Sequence, residues 1–323
     1  MLRKLFVVLL MFVSLCGCQP KEEIPEVPVV TEEPAVLPAF DYHFSPHVIS
    51  DLYKEEYGEA VEVEFYRFCD ALSQGETSFP SISREHFFEL LQIAECCFPF
   101  AALIERDSVV CNGGNCTFAY RCDSEEIPQK MQEFEEKVST VIQEALPYEE
   151  EDWLKALRLY TAVSQKDIYD QEHSLEDMLL TSSYRAITED IGICQEIAGE
   201  YIYYLLQAGI EAFPCSSLSK DRSLAHAWAL VELDGQYYHI DPTYGTQYPD
   251  SLFFFGMNEK QREYYGDFDP ADYVYAESDT LHFTADSDRF RDLWLAEKYA
   301  VDPAEREIRY TEVYTGEEKV YEY

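Results

Sequence analysis

Apolar residues recur at helical spacing through much of the first two-thirds of the chain. In "SREHFFELLQIAECC", Phe87, Leu90, Leu91 and Ala94 fall on one stripe behind Ser83, a residue suited to cap a first turn. Residues 42–75 read as mostly helical up to a polar break at "SQGETSFPS", and 124–146 and 149–165 as two further helices. "FPFAALIE" and the two arms around "NGGN" read as strands. Farther on, Ile197, Ala198, Tyr201, Ile202 and Leu205 again repeat at helical spacing, and Gly209 marks the stop. Two strand-like runs, "HAWALVEL" and "QYYHI", flank Asp234-Gly235, the preferred pair for a tight hairpin turn. Short aromatic and charged strands dominate after residue 280, and no repeat is apparent. Helices mixed with hairpins predict an α+β fold.

The ends change the picture. "MLRKLFVVLLMFVSLCGC" places Arg3 and Lys4 before an apolar run, Leu5 to Leu15, too short to span a bilayer. The stretch reads as a secretory signal. The Cys at 18, with Leu15 three residues earlier, resembles the lipobox of bacterial lipoproteins, which implies cleavage after residue 17 and lipid on Cys18. Residues 18–39 carry Pro20, Pro25, Pro28, Pro34 and Pro38 among glutamates, a composition that favours an extended tether reaching several tens of Å, at about 3 Å per residue. The expected location is the extracytoplasmic face of a cell membrane, held by lipid alone. The net charge of −39 argues against nucleic acid as a partner.

Ten cysteines need sorting. In "VVCNGGNCTFAYRC" the hairpin sets Cys111 opposite Cys116, close enough to bridge in a compartment that permits disulfides. Zinc on Cys111, Cys116 and Cys122 is a weaker reading, because the spacings are loose and no fourth ligand is near. Buried thiols acting as small apolar groups remain the plain alternative.

One thiol stands apart. Working back from Gly209, the helix starts near Cys194, with Gly192 permitting a tight entry. There a thiol meets the positive end of the helix dipole, which favours thiolate. Counting outward from Asp234-Gly235 pairs Leu233 with Gln236, Leu230 with His239, Trp228 with Asp241 and His226 with Thr243. His226 and Asp241 then share one face, one diagonal step apart. A carboxylate that orients an imidazole, which in turn deprotonates a thiol, is the arrangement nucleophilic catalysis requires. His239 is the rival base, and a structural role suits it better.

These motifs resemble the transglutaminase-like superfamily: "GIC" with Ala198 following, "AGI" at 208–210, "HAW" at 226–228 and "DGQYYHIDPTY" at 234–244 stand in the family's order over roughly residues 150–260. The resemblance implies a papain-like core in which the helix carrying the nucleophile packs on an antiparallel sheet. It also implies Cys194 as nucleophile, His226 as base and Asp241 as orienting carboxylate, with no metal or cofactor. Glu196, Ile197, Ala229 and Tyr244 depart from the family's usual neighbours. The expected organisation is a signal peptide over 1–17, a tether over 18–39, an N-terminal α+β region over 40–146 and a transglutaminase-like domain over 147–323. The expected activity is acyl transfer from an amide of a peptide or protein, in the cell envelope or elsewhere, through a thioester. Hydrolysis by a peptidase or amidase is favoured over transfer to an amine, and the alternative is a surface module that binds without chemistry. The Cys194 N–H is one candidate oxyanion donor, with Gln195 or Tyr184 as the second.

Replacing Cys18 by Ala should abolish lipidation and release the chain from membranes. Unchanged mass and unchanged membrane retention in that variant would refute the lipobox reading.

Overall fold

In the computed structural model, residues 37–172, 182–276, 278 and 281–323 are described. The expected signal peptide, Cys18 and most of the tether lie outside them. In the first half, Ser50 caps α1 (Asp51–Tyr57) by accepting from the Leu52 N–H, and α2 (Ala60–Ser73) follows. A short β1 (Ser78–Pro80) leads to α3 (Arg84–Cys97), where the Ser83 side chain accepts from the His86 N–H at 3.1 Å, the expected cap. "PFAAL" is not a strand. With a proline at its start it winds into a 3-10 turn, Pro99–Leu103, before β2 (Ile104–Asn112) begins. β2 and β3 (Asn115–Tyr120) form the hairpin, with Asn112 opposite Asn115 and Cys111 opposite Cys116, and β1 adds to the other edge of β3. Cys111 and Cys116 form a disulfide with Cα atoms 4.0 Å apart, which removes two of the three thiols weighed for zinc. α4 (Ile127–Ala145) and α5 (Asp152–Lys166) complete this half.

The second half runs β4 (Ile168–Tyr169), α6 (Ser183–Glu189), β5 (Ile191–Gly192), α7 (Cys194–Gln207), β6 (Ala212–Leu218), β7 (Ala225–Leu233), β8 (Gln236–Ile240), α8 (Pro242–Gly245) and α9 (Glu259–Gly266). It closes with β9 (Val274–Tyr275), β10 (Ala296–Asp302), β11 (Glu307–Glu312) and β12 (Glu318–Glu322). β8-β7-β6-β9 make an antiparallel sheet and β10-β11-β12 a second one. The fold is thus α+β, with the helix that begins at Cys194 packed on an antiparallel sheet.

α7 is the centre. Its sequence predicts one apolar stripe, yet every residue from Glu196 to Gln207 is buried, with α3, α5, α6, β6 and β7 around it. Tyrosines let a helix be buried on all sides while their polar tips find partners. Tyr201 donates to the Ala156 carbonyl at 3.0 Å and Tyr204 to Glu200 at 2.7 Å. Because α3 and α5 both touch α7, residues on either side of position 146 share one core.

A partly buried cluster of ionisable groups fixes the chain just ahead of α7. The Lys166 ammonium lies 2.7 Å from Glu200, 3.0 Å from Asp190 and 2.9 Å from Asp167. β4 follows directly and pairs with β5, two residues before Cys194. Burial, and then the neighbouring Glu200 charge, push the Asp167 carboxyl up to about 9. A carboxyl that keeps its proton when folded and loses it when unfolded makes stability fall as pH rises between the two values, here from ~3.9 for an exposed aspartate to about 9. Asp167→Asn removes that titration. In urea unfolding between pH 5 and 8, the wild-type chain should lose stability relative to the variant by on the order of 1 kcal/mol per pH unit. Parallel curves for the two proteins would refute this.

Candidate active site

Cys194 is the first residue of α7, so the first-turn N–H groups around it have no partner within the helix. Glu196 sets the approach. Its buried carboxylate accepts from the Ile193 N–H at 3.0 Å and the Ser182 N–H at 3.0 Å, and it pairs with Arg185. Gly192 serves this arrangement by close approach rather than by an unusual turn. A Cβ there would stand 3.0 Å from Glu196 Cβ and 3.3 Å from its carboxylate. The unusual residue after "CQ" therefore holds the chain that leads into the thiol.

The hairpin follows the expected register only in part. Asp234 and Gly235 both have positive φ, as a primed turn requires, and Leu233 pairs with Gln236 and Leu230 with His239. The ladder stops at Ala229–Ile240. The expected pairs Trp228–Asp241 and His226–Thr243 do not form. Pro242 lacks an N–H and opens α8, while the Asp241 N–H leaves β7 for the Phe254 carbonyl at 3.0 Å. Asp241 instead caps α8, accepting from the Tyr244 N–H at 3.1 Å through Oδ1. Its side chain still reaches His226, whose Nε2 lies 2.7 Å from Asp241 Oδ2. The face carrying His226, Trp228 and His239 is as buried as the apolar one.

Arg262 on α9 accounts for that burial, and the sequence reading missed it. Its Nη1 donates to Asp241 Oδ2 at 2.7 Å, and both side chains are fully buried. The guanidinium lies over the rings of Trp228, Phe268 and Tyr244, at 4.2, 4.8 and 5.2 Å from their centroids. Tyr244 also stacks on the His226 ring at 4.5 Å. In sequence, Arg262 is one cation in a polar helix, "NEKQREYYG", and only tertiary packing reveals its role.

Electrostatics tie the three residues together. Burial disfavours the Cys194 thiolate, but the hydrogen bond and charge of His226, with the Ala227 N–H, outweigh it and bring the thiol below its ordinary value. Since Nε2 is on Asp241, the nitrogen turned to the thiol is Nδ1. Burial likewise opposes the imidazolium, yet the Asp241 charge and both hydrogen bonds raise His226 above its usual range. Asp241 is depressed despite burial, by His226 and Arg262. His239 behaves oppositely. Burial, then the Arg262 charge, lower it to about 3, and as a neutral ring it accepts from Trp228 Nε1 at 2.9 Å.

Cys194 and His226 open onto a cleft of about 670 Å³ whose rim includes Tyr169, Leu218, Arg222 and Asp272. Gln195 lines it as well. Tyr184 does not, because its ring stacks on Phe134 at 5.6 Å. Of the two side chains considered as second oxyanion donors, only Gln195 faces the thiol's cleft. Among the described residues no cluster of His, Cys, Asp or Glu could hold a metal ion.

No protein-family model and no curated protein matches this sequence. Among solved structures, one described as "a Putative Cysteine Protease from Cytophaga hutchinsonii" is similar with 14% identity and a TM-score of 0.30, over 47% of this chain and 55% of that one. Another, described as "a TGase", has 12% identity and a TM-score of 0.30, over 42% of this chain and 43% of that one. The matches thus span about half the length of each neighbour.

Two outcomes are expected. His226→Ala should shift the pH dependence of iodoacetamide labelling at Cys194 upward, because burial then opposes the thiolate without the imidazolium. A curve unchanged from wild type would show that His226 does not govern the thiol. Arg262→Gln leaves Asp241 buried without its guanidinium partner and should cost about 3–5 kcal/mol in urea unfolding; a loss below about 1 kcal/mol would refute the role given to Arg262.

Proposed function

We propose that the protein is a transglutaminase-like cysteine enzyme that cleaves amide bonds, tethered by lipid on Cys18 at the outer face of a cell membrane. The observation that carries this reading is the placement of His226 between the Cys194 thiol and the buried Asp241–Arg262 pair. In the first step the Cys194 sulfur attacks the amide carbonyl. The proton held on His226 passes to the leaving amine, the C–N bond breaks, and a thioester remains. In the second step His226 takes a proton from water, whose oxygen attacks the thioester and releases the acid and the thiol. Asp241 keeps Nε2 protonated and Nδ1 aimed at sulfur, and it stabilises the imidazolium. The Cys194 N–H and the Gln195 side chain are the donors suited to the developing oxyanion.

Hydrolysis is favoured over transfer to an amine by the cleft itself, which is open enough to admit water. The motif order around Cys194, His226 and Asp241 supports the same family reading. A peptide or protein of the cell envelope is the substrate class within reach of a tethered enzyme.

Wild-type protein should label with iodoacetamide at Cys194 faster than a free thiol at pH 7 and should release amines from a quenched peptide library. Cys194→Ala should abolish release, and Asp241→Asn should slow it by about two to four orders of magnitude. Fluorescent amine incorporated faster than peptide is cleaved would overturn hydrolysis. Ordinary labelling with no turnover would overturn the enzyme.

A further inference from the structure

Arg262 is buried to zero exposure, and a cation at that depth is costly to place. Its Nη1 donates to Asp241 Oδ2, the same oxygen that takes His226 Nε2, each at 2.7 Å. Its Nε and Nη2 have no hydrogen-bond partner among the described residues, and the guanidinium faces the rings of Trp228, Phe268 and Tyr244 instead. Local structure commits the cation to this place. Asn258 caps α9 by accepting from the Gln261 N–H at 2.8 Å, and a Cβ at Gly266 would stand 2.0 Å from the Phe268 ring and 3.1 Å from Arg262 Nη2. A neutral donor such as a glutamine amide would also satisfy the second lone pair of Oδ2, at a lower desolvation cost. What only a cation does is offset the carboxylate's charge as His226 experiences it.

The offset matters at one step. As the Cys194 sulfur closes on an amide carbonyl, a C–S bond forms and the C–N bond breaks, and the nitrogen leaves only with the proton from His226 Nδ1. A lone buried carboxylate behind the ring strengthens the imidazolium's hold on that proton. A cation on the same carboxylate loosens it. We propose that Arg262 is a positioning residue for this step: sharing one oxygen of Asp241 with His226, it makes the imidazolium a stronger acid toward the leaving amine. The inference rests on Cys194 and His226 carrying out the proposed cleavage. Among the described residues, the ionisable groups that face His226 are Cys194 from α7, Asp241 and Tyr244 at the start of α8, and Arg262 from α9; the rings of Trp228 and Phe268 stack beside it. Asp241 and the bond to Cys194 favour the imidazolium, and Arg262 opposes it.

Two acyl donors separate this role from a structural one. The quenched peptide library releases amines, which must be protonated to leave; p-nitrophenyl acetate releases an anion, which need not be. Rates with both are compared for wild type, Arg262→Gln and Arg262→Lys, in sucrose to favour the folded state, with near-UV circular dichroism reporting the fold. In Arg262→Gln the amide rate should fall at least ~10-fold further than the ester rate. The alkaline limb of amide cleavage should also move to higher pH, because the imidazolium then keeps its proton longer. Arg262→Lys keeps the charge but loses the planar contact with the rings, so it should lie between the two, with the amide-to-ester ratio ~3-fold below wild type and the limb raised less. If Arg262→Gln does not fold, the lysine variant decides alone. Equal losses on amide and ester, or an unmoved alkaline limb, in a folded variant would overturn the inference and leave the cleavage reading standing. No turnover of either donor by the wild-type protein would overturn the cleavage reading and the inference with it.

Discussion

The structure depends on a carboxylate buried to zero exposure. Asp241 shares one oxygen between His226 and Arg262 and gives the other to the Tyr244 N–H. An isolated charge at that depth costs several kcal/mol, and its neighbours must offset the cost. Arg262 is itself fully buried, so the pair moves the problem outward to the rings of Trp228, Phe268 and Tyr244. Those rings supply attraction to the cation and exclude water at once. The aromatic residues of this region are therefore more than apolar filling. They allow a negative charge to sit permanently behind the imidazole, which keeps His226 easier to protonate and the thiol easier to ionise.

The same logic governs the helix that carries the thiol. α7 is enclosed for twelve residues, and three of its polar side chains are paired inside: Glu196 with the chain before Cys194, Glu200 with Lys166, and Tyr201 with a carbonyl of α5. Movement of Cys194 relative to His226 would require breaking these bonds in a medium where they are costly to leave unmade. Thr243, two residues after Asp241, donates to the Cys194 carbonyl at 3.5 Å, so the two ends of the site are also joined directly.

What the sequence made legible follows from how local each signal is. A helix start at Cys194, a Gly209 stop, an Asp-Gly turn and an Asn-Gly-Gly-Asn turn are set by a few adjacent residues, and all are present. Register counted from a turn holds while the ladder lasts. It failed at Asp241 because Pro242 cannot donate and the chain turned to Phe254, a partner distant in sequence. "PFAAL" misled because aromatic and small apolar residues suit a strand, while Pro99 at the start suits a helical turn. Arg262 and the Lys166–Asp167–Glu200 cluster were invisible for a common reason. A charged residue in a polar helix or at a helix end looks solvated until tertiary packing buries it.

The N-terminal half acquires its meaning from these constraints. α3 packs against the nucleophile's helix, and buried residues of both α3 and α1 belong to the same core. Once fixed there, their side chains form the far wall of a cavity one residue from the thiol. The motif-bearing segment, residues 150–260, supplies the thiol, the imidazole and the carboxylate. A single buried helix, α7, thus joins the two stretches of the chain.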